Sequence, residues 1–324
     1  MRSLRRPLAA TAFALAALAA ATSRAQPSGY PERTIEIVVS YGAGGSTDLV
    51  ARAMAQKLQE RFGKPAVVLN KPGASGAVGA AYAAHAAPDG YTLYVGFTSE
   101  MVVVPQIAKG AKYSIDDFEP IAVTGLVPVV LIATKSMAAN SLAELIAQIR
   151  QSPGKYTFGG SIGSPSHIMG SWLNKLYGLE TTHIPYRGGA QVVSEVMGGH
   201  VDMFYAGVAV AKAAIDSGAV KAYAVTGDKR SAALPDVPTF KEAGVKDFEL
   251  ASWNVFLAPK GTPADVIALL KAATLQALDD PQLRTMLATQ GVEPSDTQDV
   301  KAFLASERDK FGRVVRELGI TMEQ

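Results

Sequence analysis

Apolar positions along this chain switch repeatedly between two periods. Residues 35–41 form a short run rich in β-branched side chains, and Ser46–Phe62 then places Leu49, Val50, Ala53, Met54 and Leu58 at helical spacing. The rhythm continues with a strand at 66–69, a helix of small residues at 75–87 and a strand at 92–97. Later come a helix at 142–150, a strand at 156–158, a helix at 166–176, a strand at 182–184, a helix at 190–197, a strand at 201–205 and a helix at 209–217. Strands that alternate with helices predict an α/β protein whose parallel sheets carry helices on both faces.

Two stretches break the rhythm. Residues 120–135 are one long apolar run interrupted by Gly125 and Pro128, and 220–226 reads as a strand with no helix directly after it. Both contain Ala-Val-Thr-Gly, at 122–125 and 224–227. They bracket ~100 residues, a plausible domain size, and read as paired strands through which the chain enters and leaves a middle domain. The expected organisation is a discontinuous first lobe, 26–123 and 226–324, around a second lobe, 124–225. The tail then returns to the first lobe, with a strand at 248–258 and three helices. Thr262-Pro263 and Asp280-Pro281 each put a capping residue before a proline at a helix start. The last helix, about 299–318, gathers Phe303, Leu304, Phe311, Val314, Val315 and Leu318 on one face, and Glu307–Lys310 with Arg313 are expected on a solvated one.

Composition narrows the function classes. At 324 residues, two domains are the natural expectation, and 48% hydrophobic with 19% charged residues excludes a disordered chain. The net charge of +2 is carried by the leader: without residues 1–25 the balance is 27 basic against 29 acidic residues. That is no footprint for nucleic acid or anionic lipid, so a bound anion must be held by local geometry. Arg2, Arg5 and Arg6 precede an uncharged run from Pro7 to Ser23 and then Ser23-Arg24-Ala25, the plan of a secretory signal peptide cleaved after Ala25. The apolar segment from Leu8 to Ala21 is shorter than the ~20 residues that span a bilayer. No later run reaches spanning length, which predicts a soluble, exported mature chain. The absence of cysteine excludes disulfides, thiol catalysis and iron–sulfur centres, and His85, His167, His183 and His200 show no metal spacing.

The informative feature is a pair of glycine loops, each between a strand and a helix. One is Gly42-Ala43-Gly44-Gly45-Ser46-Thr47-Asp48; the other is Gly159-Gly160-Ser161-Ile162-Gly163-Ser164-Pro165-Ser166-His167. In open α/β sheets ligands sit beyond the carboxyl ends of strands. Glycine lets the backbone come close, and unpaired N–H groups of a first helical turn favour carboxylate or phosphate. Ser46, Thr47, Ser164 and Ser166 are expected to add hydroxyl donors. A few charge-assisted bonds of about 1.5–3 kcal/mol each suffice for the ~8 kcal/mol of micromolar binding. Neither loop is a P-loop, since Gly45 is followed by Ser46-Thr47-Asp48, and neither carries the dinucleotide fingerprint. Gly159–Gly163 is a literal G-x-S-x-G, which leaves a secreted serine hydrolase using Ser161 as the rival reading. The histidines that follow crowd within forty residues of the serine, against the usual hydrolase order. Asp48 can ligate an ammonium group or tie down its own loop, and Arg187 can reach a carboxylate or lie on the surface.

Taken as a set, several segments carry a resemblance. They are Gly44-Gly45-Ser46-Thr47-Asp48, Asn70-Lys71-Pro72-Gly73-Ala74-Ser75-Gly76, Pro88-Asp89-Gly90-Tyr91-Thr92-Leu93, His183-Ile184-Pro185-Tyr186-Arg187-Gly188 and Gly261-Thr262-Pro263. In this order the chain resembles the Bug family, extracytoplasmic solute-binding receptors of tripartite tricarboxylate transporters. Ser40-Tyr41, before the first loop, departs from the proline found there in many members. The resemblance implies a two-lobed periplasmic binding protein (Venus-flytrap), two doubly wound sheets joined by two crossover strands, closing on a small carboxylate without a cofactor. The expected partners are inner-membrane permease subunits and the expected state a monomer; a ligand-binding component of a signalling system is a further rival reading. The ligand-binding residues expected on that basis are Tyr41, Gly44, Gly45, Ser46, Thr47, Asp48, Thr98, Ser99, Ser161, Gly163, Ser164, Ser166, His167, Tyr205 and Ala206. No catalytic or metal-binding residue is expected.

Overall fold

Two five-stranded sheets carry the fold, and the same strand plan is used twice. The computed structural model describes residues 29–246, 248 and 250–322; the expected leader, 1–25, lies outside them. The first sheet holds β1 (Ile35–Val39), β2 (Ala66–Asn70), β3 (Thr92–Phe97), β4 (Phe118–Val127) and β10 (Ser252–Pro259), in the order β2-β1-β3-β10-β4. The second holds β5 (Val129–Thr134), β6 (Tyr156–Gly160), β7 (Thr181–Pro185), β8 (Met203–Gly207) and β9 (Val220–Val225), in the order β7-β6-β8-β5-β9. Each is covered by helices: α1 (Ser46–Phe62), α2 (Ala77–Ala84) and the single turn α3 (Val104–Ile107) in the first lobe, and α4 (Leu142–Arg150), α5 (Pro165–Tyr177), α6 (Gly189–Gly198) and α7 (Val208–Asp216) in the second. The C-terminal helices are α8 (Ala264–Leu278), α9 (Pro281–Thr289) and α10 (Val300–Leu318).

The sheets, read from the alternation as parallel, are mixed. β1 runs parallel to β2 and β3, and β6 parallel to β7 and β8, but β10 is antiparallel to β3 and β4 and β5 antiparallel to β8 and β9. The inserted antiparallel strand is the one that arrives from the other half of the chain. The two Ala-Val-Thr-Gly segments accordingly do not pair with each other: 122–125 lies along β10, whereas Ala224 and Val225 lie along β5. Between β4 and β5 stands Pro128, which has no N–H to lose where one ladder ends and the other begins. Thr226 ties the two crossings together, its N–H donating to Val129 O at 2.8 Å and its hydroxyl accepting from Val129 N at 3.0 Å.

β5 and β10 are buried at every position. β5 accordingly reads as a nearly continuous apolar run rather than an alternating one, whereas β10 buries Ser252 and Asn254 among its apolar residues. Leu131 faces a core shared with Phe158, Trp172 and Trp253, while Val130 and Ile132 face a second cluster with Val192, Val196 and Phe204. Among the described residues no helix is long and apolar enough to cross a membrane.

Helix ends follow the sequence unevenly. Asp280 caps α9 by accepting from Gln282 and Leu283 N–H, with Pro281 in the first turn. Thr262 does not cap α8; its hydroxyl donates back to Pro259 O at 2.7 Å. The charged face of α10 is not all solvated either. Glu307 is 5% exposed and accepts the indole N–H of Trp253 at 2.8 Å, with Lys310 2.6 Å from its other oxygen. Glu307→Ala leaves that indole donor unpaired in the core and should lower stability by about 1–3 kcal/mol in urea denaturation, with an unchanged m value. A loss below about 0.5 kcal/mol contradicts this role.

Candidate functional site

The carboxyl ends of β1, β2 and β3 face those of β6 and β7 across a cavity of about 1200 Å³. Local sequence delivers its lining: Ser40 and Tyr41 follow β1, Ser75 follows β2, and Phe97 and Ser99 end β3. On the opposite wall, Ser161 and Ser164 follow β6, and Tyr186, Arg187 and Gln191 follow β7. Arg187, exposed, is the one charged side chain among the described lining residues. Tyr41 and Phe97 meet edge to face, with ring centroids 5.9 Å apart, and form the aromatic part of the wall.

Two hydroxyls bridge the lobes. Ser99 donates to Gly163 O and Ser75 to Ile162 O, each at 2.9 Å. Gly163 sits at φ +73°, and a Cβ there would lie 2.8 Å from Ile107 Cδ1, so glycine permits both the turn and the close approach. Ser75 is held by a strained loop: it and Ala74 are the non-glycine residues with positive φ among those described, at 52° and 46°.

Behind Tyr41 lies a carboxylate that the sequence pattern did not single out. Glu100 is fully buried, yet donors reach it: Tyr41 hydroxyl at 2.5 Å, Tyr94 hydroxyl at 2.9 Å and Phe97 N–H at 2.6 Å. Burial pushes its pKa up to about 7, against the hydrogen bonds, which pull it down. Gly76 makes room for it, since a Cβ there would fall 2.9 Å from Glu100 Cβ. The signal was available as a lone acid in the apolar stretch from Phe97 to Val104.

The remaining expected residues are dispersed. Gly44, Gly45, Ser46 and Asp48 line a separate recess of about 420 Å³ with Arg52 and Gln290. Asp48 accepts from Gly44 N–H, Arg52 and Asn70, and these bonds hold its carboxyl below the usual range despite burial. Thr47 donates to Asn254 Oδ1 at 3.0 Å. Thr98 is buried against Trp253, whose N–H it accepts at 2.8 Å. Ser166 donates to Tyr205 O, and Tyr205 and Ala206 lie buried in β8. His167 stacks on His183 with centroids 4.0 Å apart and accepts from Gly163 N–H at 3.3 Å. Burial and the neighbouring His183 lower its pKa to about 4, so the ring is neutral at pH 7. Ser161 donates to Tyr186 O at 2.7 Å instead of to a histidine, which leaves it without an activating base.

Paired α/β lobes with a polar cleft at their strand ends define a bilobal solute-binding protein. Residues 50–320 match the tripartite tricarboxylate transporter family receptor, and the chain belongs to that family, one of receptors and not of enzymes. It is 36% identical over 311 residues to a UPF0065 protein of Bordetella pertussis, covering 95% of this chain and 96% of that one. Protein BugT of the same organism is 33% identical, over 91% of this chain and 92% of its own. The structure of R. palustris Rpa4515 with adipate superposes with a TM-score of 0.83 at 32% identity, over 90% of this chain and 99% of that one.

The raised pKa of Glu100 has a definite sign in stability. The native state holds a proton that the unfolded chain releases near 4.5, so this contribution is complete below pH 4.5 and is lost as pH rises through 7. Relative to Glu100→Gln, the wild type should lose about 3 kcal/mol between pH 4.5 and 8, read from paired urea denaturations. A pH-independent difference contradicts it.

Proposed function

We propose that this protein is a periplasmic receptor that captures a small organic carboxylate between its lobes and delivers it to a membrane permease. The observation that carries the reading is the large cleft cavity whose single charged side chain, among the described lining residues, is the cation Arg187. Family membership supports the receptor role, and the adipate bound to the R. palustris relative supports a carboxylate ligand.

In this reading the ligand's carboxylate takes donors from the second lobe: the Ser164 hydroxyl, the Gln191 amide and the Arg187 guanidinium. Tyr41, Ser99 and Ser161 complete the wall, and Gly44–Asp48 stabilise the first lobe rather than touch ligand. Lobe boundaries fall at Pro128 and Thr226, and closure turns about those crossings. The mature receptor is a monomer released by cleavage after Ala25.

Isothermal titration with mono-, di- and tricarboxylates of up to eight carbons should yield at least one ligand of micromolar Kd. Ser164→Asp, which sets a negative charge in the cavity, should weaken that ligand at least tenfold, and Arg187→Ala should weaken it several-fold. Full affinity in both variants places the site elsewhere, and failure of every acid to bind overturns the carboxylate reading.

A further inference from the structure

The hydroxyl groups of the cavity can be followed proton by proton, since each has one to give. Tyr41 gives its proton to Glu100 Oε2 and Tyr94 gives its own to Glu100 Oε1. With the Tyr94 proton committed, the 2.6 Å contact between Ser40 Oγ and the Tyr94 hydroxyl makes Ser40 the donor. Ser75 and Ser99 spend theirs across the cleft on Ile162 O and Gly163 O. Every hydroxyl that the first lobe sends to the cavity lining therefore meets a ligand as an acceptor. The second lobe adds donors. Ser161 spends its proton on Tyr186 O, but Ser164 Oγ accepts from His167 N–H and keeps its own, and Arg187 and Gln191 bring N–H donors to the same wall.

We propose that the Glu100–Tyr41 pair fixes the first-lobe wall as a hydrogen-bond acceptor, so that the receptor selects carboxylates bearing a hydroxyl or ammonium donor over their unsubstituted counterparts. This rests on the carboxylate reading above and adds a ligand class to it. A substituted acid places its carboxylate on the donor wall and its own donor on the oxygens of Tyr41 and Ser99. Ser99 already lies within hydrogen-bonding reach of the Tyr41 hydroxyl, so an unsubstituted acid leaves that oxygen pair with no ligand donor on closure, and sites built around a ligand's polar group reject the analogue lacking it more strongly than apolar pockets reject a methylene. The Glu100 charge behind Tyr41 reinforces the preference, because it disfavours a second carboxylate at that wall and favours a cation.

The test uses the mature protein at pH 8, where Glu100 is ionised, and three matched pairs: succinate and malate, glutarate and 2-hydroxyglutarate, 3-phenylpropanoate and 3-phenyllactate. In each pair that binds, calorimetry should show the hydroxy acid at least tenfold tighter. Tyr41→Phe should bring the ratio to within about twofold, the hydroxy partner losing more affinity than its unsubstituted partner. Glu100→Gln, whose amide can donate to Tyr41 and return its proton to the cavity, should shrink or invert the ratio. Equal affinities in the wild type, or a preference untouched by Tyr41→Phe, overturn this assignment alone. If none of the six acids binds, this assignment falls, and the wider titration above then decides whether the carboxylate reading falls with it.

Discussion

A carboxylate sealed inside the first lobe organises the cleft from behind. Glu100 is fully buried just after β3, and hydrogen bonds from Tyr41, Tyr94, the Phe97 N–H and its own backbone N–H offset the cost of burying it. Two of those donors are tyrosines whose positions then become fixed: Tyr94 within the sheet and Tyr41 at the cavity surface. A third is the backbone of Phe97, which turns the chain from strand into the helical turn that carries Ser99. One buried acid thus sets the orientation of a wall to which it contributes no surface of its own.

The second constraint is the exchange of strands between sheets. Each lobe completes its sheet with an antiparallel strand supplied from the far side of a crossing, so neither half of the chain forms its full sheet alone. The crossings lie side by side, joined by Thr226 and Val129. The core runs continuously from Trp253 in one lobe to Phe158 and Trp172 in the other. Such an arrangement keeps the lobes together at their base while the strand ends opposite remain free to line a cleft.

Across that cleft the first-lobe hydroxyls give their protons to Glu100, Tyr94 and carbonyls of the opposing loop, whereas the second lobe carries Ser164, Gln191 and Arg187 beside Ser161, whose proton goes to Tyr186 O. Gly163 and Ser75 occupy backbone conformations that bring the two loops within hydrogen-bonding distance, and the strain at Ser75 is borne where the lobes touch.

The sequence by itself determined the order and nature of the elements, because hydrophobic period and capping chemistry are local. Ser46–Phe62, Thr92–Phe97 and Leu142–Arg150 stand where their patterns predict. It also carried the family likeness and the presence of two glycine loops after strands. Strand direction was not legible: an antiparallel insertion depends on partners 70 or more residues away for β5 and more than a hundred for β10. Nor was the fate of the first glycine loop, whose Thr47 and Asp48 are consumed by Asn254, Arg52 and Asn70. Glu307 was read as a surface charge and Glu100 was not singled out at all. Only tertiary packing decides whether such a carboxyl meets water or a buried tyrosine or tryptophan.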